Sequence, residues 1–213
     1  MESAKETSGD FQTQLEDHSH LYHTLESGAD GKPGGILITS VAQEVLPGIW
    51  IGGYTALESQ KFLKKNDITH ILSMGHFEYS YPSAEYDNKI IRISDNPGAN
   101  IIQFFPETYE YINNAVSNER HILVHCLAGV SRSPTVVTAY LMKKRRLRPK
   151  EALAIIAQSR PFINPNKGFM DQLKLYREMD YTFDPKHPAY LAYIAKHPLN
   201  GIHTGHDEYK DST

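Results

Sequence analysis

The run HILVHCLAGVSRSPTVVTAYLMKKRR (121–146) restricts this chain more than any other stretch. HILVHC is a short apolar segment that reads as a buried strand. SPTVVTAYLMKKRR reads as a helix, with Ser133 as N-cap and Pro134 at the first helical position. Only the tight turn AGVSRS separates the two. A strand that passes through such a turn into a helix aims successive backbone N–H groups at one point. Those donors, together with the positive end of the helix, make a cradle for an anion. Gly129 permits the positive φ that the curl requires.

The rest of the chain supplies the frame for that unit. EVLPGIWIGGY (44–54) carries two apolar pieces around Pro47-Gly48 and predicts a hairpin. TALESQKFLKKN predicts one helix, with Thr55 and Glu58 as a capping box. ITHILSMG (68–75) and KIIRIS (89–94) predict strands, with Asp95 just past the end of the second. Helices are expected over about 102–117, with Pro106 in the first turn, and over 149–160 and 167–180. Strands alternating with helices predict an α/β fold: a central, mostly parallel, twisted sheet flanked by helices. Ligands of such sheets sit at the carboxyl ends of strands. Two of those ends carry Asp95 and Cys126.

The 213 residues suffice for one domain with tails. Residues 1–40 are polar and read as a flexible N-terminal tail. The globular domain is expected over 41–181, and 182–213 reads as a loosely ordered C-terminal tail. Within it, YLAYIAKH (190–197) has the pattern of an amphipathic helix for the core or for a partner.

A net charge of −3 gives no general pull toward nucleic acid or anionic lipid, and neither partner is expected. No segment is long and apolar enough for a transmembrane helix. Cys126 is the only cysteine, which leaves no disulfide framework and no cysteine-based zinc module. A reducing compartment, cytoplasmic or nuclear, is the default expectation. His18, His20, His23, His203 and His206 lack partners at ligand spacing, so no metal is expected. The basic run KKRRLR (143–148) falls at a helix end, where it suits the dipole.

The chemistry of the turn follows from its residues. Arg132 can reach back and present two donors to a tetrahedral dianion. The same positive surroundings favour thiolate over thiol at Cys126. Attack by that sulfur on phosphorus would give a phosphocysteine. Asp95 is placed to protonate the leaving oxygen and then to activate water. Ser133 can donate to the sulfur as it leaves in the second step. Arg132 and the amides supply the positive charge, so no cofactor is required.

HCLAGVSRS fits His-Cys-x-x-Gly-x-Ser-Arg-Ser and, within it, Cys-x5-Arg. The chain therefore resembles the dual-specificity phosphatases, a branch of the protein tyrosine phosphatase superfamily. EVLPGIWIGG, ITHILSMG and SRPFINPNKGFMDQL are similar to the family's opening, next strand and closing segment. The resemblance implies Cys126 as nucleophile, Arg132 as phosphate ligand and Asp95 as general acid. It implies phosphate binding by the loop Leu127, Ala128, Gly129, Val130 and Ser131, with Ser133 as the hydroxyl after the arginine. His125 and Asn166 are implied as loop supports. The substrates implied are phosphoproteins carrying phosphotyrosine, phosphoserine or phosphothreonine. Two alternatives stand beside this: the same chemistry on a phosphoinositide or RNA phosphate, and a catalytically weak phosphate-binding module.

Overall fold

A computed structural model of the chain describes residues 42–77 and 85–199. The expected flexible tail at 1–40 lies outside them. β1 (Ala42–Leu46) and β2 (Ile49–Gly52) form the expected antiparallel hairpin. β3 (Ile68–Met74), β4 (Asp87–Ile91) and β5 (His121–His125) follow. The sheet is ordered β1-β2-β5-β3-β4, and every pair except β1–β2 is parallel. The mostly parallel α/β sheet read from the alternation is therefore the observed one.

Strand periodicity divides the core between the two faces. Ile122 and Val124 of β5 and Ile49 and Ile51 of β2 enter the larger cluster. Leu123, between them, enters the smaller cluster on the other face, with Trp50 packed against it. Successive side chains of a strand point to opposite faces, and both faces here are covered. The larger cluster is closed by α3 (Phe105–Ser117), α4 (Arg132–Arg145), α5 (Pro149–Ala157) and α6 (Lys167–Glu178). The smaller one is closed by α1 (Tyr54–Glu58) and α2 (Gln60–Lys65), through Ala56, Leu57 and Leu63.

Several local expectations change. TALESQKFLKKN is two short helices rather than one. Thr55 and Glu58 form no cap; Gly53 precedes α1 without a side-chain bond, and the Ser59 hydroxyl accepts from Phe62 N–H to start α2. β4 begins at Asp87 and ends at Ile91, earlier at both ends than KIIRIS. Asp95 therefore rides on an irregular strap, 92–101, rather than on the strand tip. Ser133 is not the cap of α4: the helix starts at Arg132, one residue after Ser131. Pro106 does lie in the first turn of α3, behind a short 3-10 turn at Ile102–Phe104.

The expected loose tail after Tyr181 is packed as far as Leu199. It contains α7 (Pro188–Lys196), with Tyr190 and Leu199 buried in the larger cluster. The Tyr190 hydroxyl accepts from Asn100 Nδ2 at 3.0 Å, which joins this segment to the strap carrying Asp95.

β5 is the middle strand, with β2 on one side and β3 on the other. Gly52 and Ser73 lie level with His125 in the two parallel registers. The turn after His125 therefore leaves the sheet at the crevice where the chain's connections diverge, the usual ligand position of such sheets.

Candidate active site

From Cys126 to Ser131 each carbonyl has a donor that holds it. His125 Nδ1 meets Cys126 O at 3.3 Å. A carbonyl only accepts, so Nδ1 carries the proton and Nε2 accepts from Ser73 Oγ at 2.7 Å. Tyr54 N–H donates to Leu127 O at 2.8 Å. Arg160 donates from Nη2 to Ala128 O at 3.2 Å and from Nε to Gly129 O at 2.8 Å. Asn164 N–H donates to Val130 O at 2.8 Å. Thr135 N–H and Oγ1 both donate to Ser131 O.

No peptide among the described residues is cis. In a trans peptide the N–H points opposite to the C=O. Carbonyls held away from the loop's centre therefore turn the amides of the following residues toward it. The one such amide bonded to the sulfur shows the direction: Gly129 N–H donates to Cys126 Sγ at 3.2 Å. Gly129 has φ +71, and a Cβ there would lie 2.5 Å from both Gly52 O and Arg160 Nη2. Only glycine meets both conditions.

Cys126 keeps 1% of its surface exposed, less than the partly open surroundings usual for a reactive thiolate. Burial pushes its thiol up. The Arg132 guanidinium, the Ser133 hydroxyl at 3.3 Å and the Ser133 N–H outweigh burial and the nearby Asp95 charge, so the net displacement is downward. Ser133 N–H is one of the first-turn donors that a helix cannot satisfy internally.

Arg132 is 2% exposed and is fixed from the opposite side of the site. Its Nη1 donates to Ile93 O at 3.3 Å, and its Nε lies 3.6 Å from Asp95 Oδ2. Asp95 Oδ1 accepts from Ser131 Oγ at 2.8 Å and from Asn166 Nδ2 at 2.9 Å. Asn166 is also the N-cap of α6, accepting from Phe169 N–H at 3.0 Å, and its own N–H donates to Ser131 Oγ. The expected residues Cys126, Arg132, Asp95, Ser133, His125 and Asn166 are thus brought into one linked set. Asn166 bonds both Ser131 and Asp95 while capping α6. Asp67 and Asp87, the other carboxylates in the neighbourhood of these strands, lie at the amino ends of β3 and β4.

His125 is fully buried. Burial lowers its imidazole to about 4, with the Cys126 carbonyl opposing and the Arg132 charge adding to the shift. It is neutral at physiological pH, as the tautomer above requires.

Three contributors escaped the sequence reading. Ser73 is a polar residue within an apolar strand pattern, a legible sign of a specific partner. Gln172 lies on the buried stripe of α6 with Phe169, Leu173 and Tyr176, where a polar residue needs a reason. Arg160 stands between the end of α5 and Pro161 and gives no local sign that it reaches the loop.

A family model, "Dual specificity phosphatase, catalytic domain", matches residues 49–179. The chain is 36% identical over 160 residues to dual specificity protein phosphatase 19 of Mus musculus, covering 73% of each chain. It is 34% identical over 164 residues to dual specificity protein phosphatase MPK-4 of Drosophila melanogaster, covering 76% of this chain and 41% of that one. Its fold superposes on the crystal structure of human tyrosine phosphatase-like serine/threonine/tyrosine-interacting protein with TM-score 0.62 and 34% identity. That match covers 66% of this chain and 98% of the other.

Proposed function

This chain belongs to the dual specificity phosphatase family and is a protein phosphatase, and from that premise we propose that Cys126, Arg132, Asp95 and Ser133 carry the reaction. The observation that supports this assignment is the outward tethering of the loop carbonyls from Cys126 to Val130 around a sulfur that accepts from Gly129 N–H and Ser133 Oγ.

The cycle has two displacements. The phosphoryl group of a phosphoprotein enters with its oxygens toward the loop amides and the Arg132 guanidinium. The Cys126 thiolate attacks phosphorus, the bond to the leaving oxygen breaks, and Asp95 gives that oxygen its proton. The phosphocysteine then meets water. Asp95, now a carboxylate, takes a proton from that water as its oxygen attacks phosphorus. The S–P bond breaks, and the Ser133 hydroxyl stabilises the returning thiolate. Preorganised donors aimed at developing charge are the main source of rate in such sites.

To move its proton to the leaving group, Asp95 must exchange its contacts with Ser131 and Asn166 for one with substrate. Leu127, Ala128 and Val130 contribute amides and neutral side chains. They add no cation for the extra phosphates of an inositol lipid, which favours phosphoproteins as substrates. The chemistry needs a reduced thiol, so the proposed setting is a reducing compartment.

Cys126→Ser should abolish turnover of p-nitrophenyl phosphate while the chain still binds phosphate esters. Wild-type turnover in that variant would remove Cys126 from the mechanism. Iodoacetamide should modify Cys126 in the native chain below the ordinary thiol range of pH, and inorganic phosphate should protect it. A thiol inert to the reagent would mean that the sulfur is closed off rather than on the pocket floor.

A further inference from the structure

Arg160 is a charged side chain with 3% of its surface exposed, and the reaction just described does not use it. Its guanidinium is spent on the back of the phosphate loop: Nε on Gly129 O, Nη2 on Ala128 O and Nη1 on Gln43 Oε1 of β1. The Phe162 ring lies 4.4 Å from its central carbon.

The Ala128–Gly129 peptide is the decisive unit. Its carbonyl accepts from Arg160, and its N–H donates to Cys126 Sγ at 3.2 Å. The two ends of one trans peptide are thus held by a cation on one side and a sulfur on the other. A charged donor on the carbonyl polarises the N–H opposite and strengthens what it donates. The next peptide is held in the same way through Gly129 O, which turns the Val130 N–H into the loop.

Resting on the phosphatase reading above, we propose that Arg160 is a positioning residue of the phosphate loop: it fixes the Ala128–Gly129 and Gly129–Val130 peptides so that their amides face the sulfur and the incoming phosphoryl group. It touches neither substrate nor sulfur. Burial lowers its guanidinium to about 10, against a favourable pull from Cys126, so it remains a cation at neutral pH. Lysine cannot replace the planar fork, because one ammonium does not reach two successive carbonyls in the same directions.

Cys126 is the only cysteine, so alkylation of the full chain reports a single event. Iodoacetamide modification of wild type, Arg160→Met and Arg160→Lys is followed against pH, with and without inorganic phosphate, beside a thermal melt of each. Arg160→Met should raise the apparent pKa of the thiol by about one unit and weaken phosphate protection about tenfold, the low end of what a charged hydrogen bond contributes. Arg160→Lys keeps the charge and loses the fork, so phosphate protection should fall while the thiol shifts less.

Wild-type alkylation and protection in both variants, with only the melting temperature lowered, would overturn the proposal. Should Arg160→Met not melt cooperatively, Arg160→Lys decides alone, and wild-type phosphate protection in it overturns the proposal equally. Neither readout needs turnover. A chain that hydrolyses nothing yet shows the Arg160 effects keeps this inference and loses the phosphatase mechanism, whereas unchanged turnover and protection do the reverse.

Discussion

Asp95 is the residue whose two faces most need separating. Its carboxylate ties Ser131, Asn166 and Arg132 together, and the same carboxyl is the proposed acid. A structural tie and a proton donor respond differently to the leaving group. Asp95→Ala should lower turnover of an alkyl or phenyl phosphate by about 10²–10⁴, the usual contribution of a general acid. The loss should shrink for an aryl phosphate whose leaving oxygen needs no proton. An equal loss across all leaving groups would assign Asp95 to loop support alone. Activity should also fall as the solution is made acidic, because Cys126 must be ionised to attack, with the fall starting below the ordinary thiol range.

Among the elements, the strap of residues 92–101 is the one whose shape does not come from its own sequence. Its turn chemistry at Asn96-Pro97-Gly98 is local: Asn96 Oδ1 accepts from Gly98 N–H at 2.9 Å. Its placement is not local. Gln172 of α6 accepts at Oε1 from Ile101 N–H and Ile102 N–H and donates from Nε2 to Ala99 O, all within the core. Gly168 at the start of α6 passes so close that a Cβ there would lie 1.9 Å from Pro97 O. Gln172→Leu would leave the buried Ile102 N–H without its partner, while Ile101 N–H and Ala99 O would keep only their bond to each other at 3.1 Å. An orphaned buried amide costs about 1–3 kcal/mol, so the variant should lose at least about 1 kcal/mol in urea unfolding. A change under about 1 kcal/mol would mean that the strap is held by its own turn and not by α6.

At the level of the whole molecule, His125 couples the loop to folding through pH. Its folded value of about 4 lies below the ordinary 6.5. Between these values the unfolded chain takes up a proton that the folded chain refuses, so unfolding gains as pH falls. The neutral imidazole therefore stabilises the fold fully above pH 6.5, and that contribution is lost as pH falls toward about 4. His125→Asn should be less stable at neutral pH, with a shallower fall of melting temperature across that window. Parallel curves for the two proteins would show that another group governs acid unfolding.

How much of this was legible in the sequence depends on how far apart the partners lie. The alternation of strand and helix, the hairpin at Pro47-Gly48 and the loop from His125 to Ser133 are contiguous, and periodicity and turn chemistry read them directly. The same holds for Cys126, Arg132 and Ser133, which one turn and one helix start bring together. Of the two destinations open to the helix at 190–197, core or partner, the core is the one observed, and the short apolar stripe decides nothing until Asn100 is found to meet Tyr190. The split of α1 from α2 was missed because Ser59 caps better from its own position than Thr55 does. By itself, then, the sequence determined which atoms could do the chemistry, since residue type and spacing settle that. Only the tertiary structure decided which way the loop's peptides face. A peptide can rotate between two directions at little local cost, and here Tyr54, Arg160 and Asn164, each remote in sequence, choose the direction by where they hold the carbonyls.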